Sequence, residues 1–257
     1  RPTFTSPQRV AMLVYLDGRG GTQRLTAEHV VVAANAIETP RLLFASASAA
    51  HPDGLGNASG LVGRFLMFHV IFATIGVFDT EVRSYRGRVI THAMADFTAP
   101  SGYVGGLRGG YVELGGSLHP IAEAVNYPWP LHKGLMTSGR YRRRIAAVSM
   151  IGEDLPLLEN RVDADPAAHD VYGRPAARIT YARHAEDQRL VDVYLPKLEE
   201  IARASGAVEV VNYDFAARDG VPDTKHLLGT TRMGDDPATS VCDRWGRLHE
   251  VDNVWVA

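Results

Sequence analysis

The 257-residue chain has little cysteine and no excess of charge. Cys242 is its one cysteine, which excludes an internal disulfide and any metal cluster built on cysteines. Its 27 basic residues are balanced by 29 acidic ones. A protein that binds nucleic acid through the phosphates needs a basic face. The charge balance therefore argues against nucleic acid as a partner.

Long apolar runs and metal-binding motifs are also missing. A membrane helix needs about 20 consecutive apolar residues, and the most apolar segment, 61–78, is interrupted by Gly63, Arg64, His69 and Gly76. The histidines are dispersed, with no H-x-x-x-H or H-E-x-x-H spacing, so no metal site is predicted. A content of 46% hydrophobic and 22% charged residues is typical of a folded globular chain.

The N-terminal part predicts strands followed by a helix. A hairpin comes first, with strands at 9–16 and 22–25 around a turn at 17–21. The short, valine-rich run 29–34 favours a buried, parallel strand. A helix is predicted after Thr39-Pro40, with the proline in its first turn. This order of strand, turn and helix is half of an α/β unit.

The middle of the chain has a different pattern. From about 69 to 150, apolar and polar residues alternate between clusters of glycine and proline, which predicts an antiparallel sheet. Residues 101–116 contain many glycines and are predicted to form a mobile loop. Residues 183–204 have the periodicity of a helix, which Pro196 should kink or interrupt, and Ser205-Gly206 is a helix stop.

Three segments, in order along the chain, carry a family resemblance. They are VVVAANAIETPRLLFAS with GLGNASGLVGRFLMFH (30–46 and 54–69), NRVDADPAAHDVYGRPAARITY (160–181) and HLLGTTRMGDDPATSVCDRWGRLHEVDNVWVA (226–257). With these segments the chain resembles the glucose-methanol-choline (GMC) oxidoreductases. The third segment, which has the H-x-x-G-T motif, is the most specific. Turn-forming Asp, Gly and Pro would explain the second segment by architecture alone.

The resemblance implies a mixed α+β and α/β fold. This fold contains part of a Rossmann-like, FAD-binding lobe and a substrate lobe built on an antiparallel sheet with helices. We expect residues 1–68 to belong to the FAD-binding lobe and 69–222, with the helix near 183–204, to form the substrate lobe. The chain would return to the FAD-binding lobe over 223–257. The implied ligands are FAD and a small-molecule alcohol, sugar or sugar acid.

His226 is the candidate catalytic base. In the family, the histidine of this motif lies over the flavin ring. When an alcohol is oxidised by hydride transfer to flavin N5, the hydroxyl proton must leave, and imidazole suits a proton acceptor near neutrality. The resemblance also implies a set of cofactor-binding residues: Asn35, Ala36, Thr39, Val256 and Ala257. Many family members have glycine in place of Asn35, and asparagine tolerates the same left-handed turn.

The remaining histidines are interpreted as structural or solvent-facing residues. In the expected substrate lobe they are His69, His92, His119 and His132. His249 precedes a predicted strand and is interpreted as a surface residue.

Two parts of the family pattern fall outside the sequence. No G-x-G-x-x-G follows a predicted strand, although the family seats the FAD pyrophosphate on this motif near its N-terminus. The family also continues past the position of Ala257 to an acidic residue and a second catalytic His or Asn. We therefore expect a piece of a longer protein, which by itself binds FAD poorly and turns over no substrate.

Alternatives to a dehydrogenase or oxidase remain open. Some relatives use the same fold and flavin to cleave cyanohydrins, and an antiparallel lobe could also act as a non-catalytic β-rich binding module. Substrate-dependent bleaching of the flavin would mark the oxidoreductase, whereas cyanide release without bleaching would mark the lyase. The electron acceptor is also open, between oxygen, a quinone and a cytochrome partner.

Overall fold

A computed structural model describes residues 9–116, 143–214 and 226–257. The chain divides into two compact units. The first comprises Arg1–Met67, Pro156–Ala182 and His226–Ala257. The second comprises Phe68–Leu155 and Arg183–Lys225. Across the described ranges, no helix is both long enough and apolar enough to cross a membrane.

A hairpin opens the first unit. Its antiparallel strands are β1 (Leu13–Leu16) and β2 (Thr22–Leu25). Asp17 shapes the turn between them, because its Oδ1 accepts the N–H groups of Arg19 at 2.9 Å and Gly21 at 2.8 Å. The predicted hairpin is confirmed, although its first strand begins later than the apolar run does.

A parallel pair of strands follows. β3 (Val30–Val32) pairs with β13 (Val254–Val256), so the predicted parallel strand is confirmed. Only Val32 of β3 is buried. The fully buried Asn253 joins this pair to the start of the chain, because its side chain accepts the Val10 N–H and donates to the Val10 carbonyl, both at 2.9 Å.

Helix α1 (Asn35–Ala45) begins earlier than the sequence predicted. Asn35 turns the chain out of β3 with a left-handed φ of 62°. Its Oδ1 accepts the N–H groups of Ile37 at 2.8 Å and Glu38 at 3.2 Å, which caps the start of the helix. Pro40 therefore lies in the second turn, and the prediction that it lies in the first turn is wrong.

The second hairpin of the first unit packs against α1. Its strands are β9 (Arg161–His169) and β10 (Pro175–Thr180). Arg41 on α1 pairs with Asp170 in the turn at 2.5 Å and donates to the Pro175 carbonyl at 2.8 Å. Residues 156–182 belong to the first unit, although they lie within the range 69–222 predicted for the substrate lobe.

The strip Gly63–Leu66 joins the three segments of the family resemblance. On one side, the Val162 N–H donates to the Gly63 carbonyl, and the Leu66 N–H donates to the Asn160 carbonyl, both at 2.9 Å. On the other side, the Gly63 N–H donates to the Thr230 carbonyl at 2.8 Å, and the Thr230 N–H donates to the Arg64 carbonyl at 3.1 Å. Backbone hydrogen bonds to this strip thus hold together segments that are far apart in the sequence.

Two glycines make this close approach possible. A Cβ at Gly63, whose φ is 82°, would lie 2.2 Å from the Val162 carbonyl oxygen. A Cβ at Gly229, whose φ is 80°, would lie 1.9 Å from the Phe65 carbonyl oxygen. Both glycines are therefore required by backbone conformation and by space.

The second unit is built on a five-stranded antiparallel sheet in the order β11-β5-β8-β7-β6. The strands are β5 (Val70–Val77), β6 (Ile90–Met94), β7 (Gly110–Gly116), β8 (Ile145–Gly152) and β11 (Glu209–Asp214). This confirms the predicted antiparallel sheet. A 3-10 turn lies at Pro100–Gly102. The short strand β4 (Met67–Phe68) lies at the boundary between the units, and the short strand β12 (Leu227–Leu228) belongs to the first unit.

The glycine-rich segment 101–116 is not a loop throughout. Its last seven residues form β7, which lies between β8 and β6. A Cβ would lie 1.9 Å from the Ile151 carbonyl oxygen at Gly110 and 1.9 Å from the Val89 carbonyl oxygen at Gly115. The loop prediction is wrong here because these glycines permit close backbone approach inside a sheet.

Helix α2 (Ala185–Ala204) covers one face of this sheet. The helix runs through the exposed Pro196 without interruption and ends at Ala204, before Ser205 and Gly206, whose φ is 99°. Tyr194 is fully buried, donates to the Leu107 carbonyl at 2.6 Å and accepts the Val104 N–H at 3.0 Å. The side chains buried along the helix are apolar apart from Asp187 and Tyr194: Leu190, Val191, Leu198 and Ala202.

Asp187 forms a buried carboxyl pair with Asp154. The two residues are 2% and 6% exposed. Asp187 accepts the His184 N–H at 2.9 Å, and Asp154 accepts the Phe68 N–H at 2.9 Å. Burial, together with the negative charge of Asp154, raises the pKa of Asp187 from 3.8 to about 6. Asp187 therefore keeps, in mildly acidic solution, a proton that an ordinary aspartic acid would have released.

We expect this pair to make the protein less stable as pH rises from about 4 to about 6. Over that interval the folded state binds a proton that the unfolded chain has already released, so the free energy of unfolding falls with pH, by up to about 3 kcal/mol. Asp187→Asn imitates the protonated carboxyl and should remove this part of the decline. Urea unfolding at several pH values measures the difference between variant and wild type.

Asp192→Asn, on the exposed side of the same helix, is the matched control. Its unfolding free energy should follow that of the wild type at every pH. If Asp187→Asn does the same, the carboxyl pair does not titrate as described.

We also expect Gly63→Ala to destabilise the first unit by more than about 3 kcal/mol, because it combines a strained left-handed alanine with a backbone clash. Gly60→Ala is the matched control. Gly60 has a φ of 70° but nothing within 4 Å of the added Cβ. It should therefore cost only the conformational strain, about 1–2 kcal/mol. Equal shifts of the urea midpoint in the two variants would show that the close backbone contact at Gly63 adds no cost to an alanine at this position.

Candidate functional site

A buried hydrogen bond connects the His226 segment to helix α1. The Thr230 hydroxyl donates to the Ala36 carbonyl at 2.8 Å. In a regular helix that carbonyl would accept the N–H of residue 40, but Pro40 has none. A buried carbonyl without a donor costs about 1–3 kcal/mol. The Thr230 side chain thus satisfies an acceptor that the sequence of α1 leaves open.

Three of the predicted cofactor-binding residues lie at one edge of the first unit. β3 and β13 are parallel, and the Ala257 N–H donates to the Val32 carbonyl at 3.0 Å. Val256 and Ala257 therefore lie at the carboxyl end of the pair, where β3 leads to Asn35. Asn35 and Ala257 are exposed, and Val256 is partly exposed. The carboxyl ends of parallel strands are where α/β sheets bind their ligands.

The other two predicted cofactor-binding residues are enclosed. Ala36 is 8% exposed and Thr39 is 0% exposed. The Thr39 hydroxyl has no hydrogen-bond partner within the described parts of the chain. Both residues lie on α1 behind Asn35, so their side chains support the helix from within the unit.

His226 begins the third segment and is exposed. It directly precedes β12, and Gly229 and Thr230 follow that strand. Gly229 and Thr230 both have left-handed φ angles, of 80° and 65°. Thr230 is hydrogen bonded to Gly63 and Arg64, and Gly229 packs against the Phe65 carbonyl, so the candidate base lies only a few residues from these backbone contacts.

The loop beyond Thr230 is fixed by contacts that sequence reasoning did not identify. The Arg232 guanidinium lies 4.9 Å from the centroid of the Phe65 ring, within range of a cation–π interaction. His249 was interpreted as a surface residue, but it is partly buried and its Nε2 lies 2.7 Å from the Ser240 hydroxyl. Burial raises the pKa of the fully enclosed Cys242 thiol to about 12, so this cysteine has a structural place and is chemically inert.

Four other histidines were interpreted as structural or solvent-facing residues. His92 is exposed on β6, His69 is partly exposed, and His119 and His132 lie outside the described residues. No group of three or more His, Cys, Asp or Glu side chains that could hold a metal occurs in 9–116, 143–214 or 226–257.

An open groove of about 340 Å³ lies elsewhere in the first unit. It runs between β1, α1 and the β9–β10 turn, and its polar side chains include Arg41, Asp170 and Arg174. None of the predicted site residues lines it. The groove is therefore separate from the candidate site.

The residues at the carboxyl edge fit one part of a dinucleotide site. Ala33 is small and exposed, and the left-handed Asn35 opens a helix directly after a parallel strand. The Asn35 side chain already accepts the N–H groups of Ile37 and Glu38, so it takes the place that an anion would occupy at those donors. The glycine fingerprint that would hold a pyrophosphate is not among residues 1–257.

Comparisons with known proteins identify relatives of this chain. The family model described as GMC oxidoreductase matches residues 156–257. The chain is 35% identical to 2-methyl-1,2-propanediol dehydrogenase from Mycolicibacterium austroafricanum, over 94% of this chain and 45% of that protein. It is 34% identical to paromamine 6'-oxidase from Streptomyces fradiae, over 97% of this chain and 44% of that protein. The chain thus spans somewhat less than half the length of these relatives.

A solved structure supports the fold independently. A formate oxidase from Aspergillus oryzae RIB40 superposes with a TM-score of 0.65 over 97% of this chain and 52% of its own, at 13% sequence identity. At that identity the likeness concerns the fold, which combines α/β elements with an antiparallel sheet. The sequence matches, the fold and the joined segments lead to one conclusion: the chain belongs to the GMC oxidoreductase family, whose cofactor is FAD.

Proposed function

We propose that the protein to which this chain belongs oxidises a CH–OH group of a small alcohol, sugar or aminosugar, with His226 as the proton acceptor. One observation carries the proposal. The segment headed by His226 is hydrogen bonded through Thr230 to helix α1, and this helix begins at the same edge of the first unit as Ala257. The candidate base and the candidate cofactor edge are therefore both connected to helix α1.

The cofactor edge would be formed by backbone and small side chains. Asn35, Val256 and Ala257 would contact FAD directly, while Ala36 and Thr39 would hold the helix behind them. When bound, FAD supplies the acceptor for the hydride that leaves the substrate carbon. The protein's own contribution is orientation and the exclusion of competing reactions.

His226 would act on the substrate hydroxyl. As the carbon loses its hydride, the hydroxyl becomes a carbonyl, and its proton passes to a nitrogen of the imidazole. The His226 side chain is exposed in this chain. The Gly229-Thr230 turn holds the backbone near the imidazole, which favours a defined position for the proton acceptor.

The relatives support the breadth of the substrate class. Their names include a diol dehydrogenase, an oxidase of paromamine and a fructose dehydrogenase large subunit, the last 28% identical to this chain. Dehydrogenases and oxidases both occur among them, so the names agree with chemistry at CH–OH groups and leave the electron acceptor open.

We expect His226→Asn, in the full-length protein loaded with FAD, to slow substrate-dependent flavin reduction roughly 10²- to 10⁴-fold because the hydroxyl proton loses its acceptor. The measurement is anaerobic mixing with 2-methyl-1,2-propanediol, paromamine and fructose, followed by loss of visible flavin absorbance. The FAD content of the variant should equal that of the wild type.

His249→Gln is the matched control, since His249 lies in the same segment and contacts Ser240. It should reduce flavin at the wild-type rate. Unchanged flavin reduction in His226→Asn would refute the role of His226. Cyanide release from a cyanohydrin by the wild type, without bleaching by any alcohol, would instead identify a lyase.

A further inference from the structure

Thr230 has a conformation that its residue type does not favour. Its φ of 65° is left-handed, where glycine or asparagine is the usual choice and a β-branched residue is strained. Its backbone bonds to Gly63 and Arg64 would be available to any residue. Only the side-chain bond to Ala36 needs a hydroxyl. The presence of threonine is therefore explained by the hydroxyl and not by the turn.

The segment between His226 and Thr230 is short and closely packed. Only β12 and Gly229 separate the two residues, and Gly229 closes on the Phe65 carbonyl so tightly that a Cβ would lie 1.9 Å away. A shift of Thr230 would therefore be passed along a short strand to His226.

The acceptor of the hydroxyl lies equally close to the cofactor edge. Ala36 follows Asn35, which opens α1 and is a proposed FAD contact. Because Pro40 cannot donate within the helix, the Ala36 carbonyl is free to accept from outside it. The missing helix bond thus creates the attachment point for the segment that carries His226.

We propose that Thr230 is a positioning residue, whose hydroxyl sets where the His226 imidazole lies relative to the start of α1. This inference rests on the proposed function of His226. It goes further by assigning a geometric role to a residue that contacts neither substrate nor cofactor.

The test compares Thr230→Val and Thr230→Ser in the full-length protein loaded with FAD. Valine keeps the shape and removes the hydroxyl, whereas serine keeps the hydroxyl. A displacement of about 1 Å in an active site can cost roughly 10²-fold in rate. We therefore expect Thr230→Val to slow flavin reduction at saturating substrate by roughly 10- to 100-fold, with KM little changed, and Thr230→Ser to restore most of the rate.

Pro40→Ala separates positioning from stability. Its new N–H can donate to the Ala36 carbonyl inside the helix, so it repairs the unsatisfied acceptor left by Thr230→Val. If Thr230 positions His226, the double variant should recover the urea midpoint of the wild type but not its rate of flavin reduction. Recovery of both would overturn the proposal, because the hydroxyl would then serve only to satisfy the helix.

Hydrogen exchange gives a readout that does not depend on activity. Loss of the hydroxyl should speed exchange of the Gly63 and Thr230 amides and of the two leucines of β12, in the double variant as in Thr230→Val. Unchanged exchange would overturn the attachment itself. If exchange speeds up but His226→Asn leaves flavin reduction intact, the proposed function fails and the positioning role falls with it, while the attachment stands.

Discussion

The first unit depends on a close approach between backbones. At Gly63 and Gly229, carbonyl oxygens lie about where a side chain would begin, at 2.2 Å and 1.9 Å from an added Cβ. This contact lets one short strip hydrogen bond to β9 on one side and to the Thr230 turn on the other. Helix α1, the β9–β10 hairpin and the segment of His226 are all attached to it directly or through one neighbour.

Patterns that depend on neighbours in sequence could be predicted. The valine-rich run gave a parallel strand, the alternation after residue 69 gave an antiparallel sheet, and a hydrophobic stripe gave α2. Two features that local patterns did not explain depend on distant parts of the chain. The β7 glycines are explained by carbonyls of other strands, and Pro40 is tolerated inside α1 because a hydroxyl 194 residues away replaces the lost donor. Such partners are invisible to a window of adjacent residues.

The candidate site also combines residues that local sequence indicates with contacts that only the structure reveals. The left-handed turn at Asn35 follows from the residue type, and the choice of His226 as candidate base rests on a local motif. The gathering of Asn35, Val256 and Ala257 at one edge required the register of β3 against β13. The enclosure of Ala36 and Thr39 and the contact of Arg232 with Phe65 came only from packing. The sequence therefore indicated candidate residues, but it did not indicate the contacts that hold them in place.

The bonds of Asn253 to Val10 bear on how the first unit is made. The two residues are 243 positions apart, and the pairing of β3 with β13 spans nearly as far. Contacts between such distant residues form slowly, because a long loop must close before they stabilise anything. During synthesis, β3 lacks its parallel partner until residues 254–256 have been made, and an unpaired strand edge is prone to aggregation in that interval.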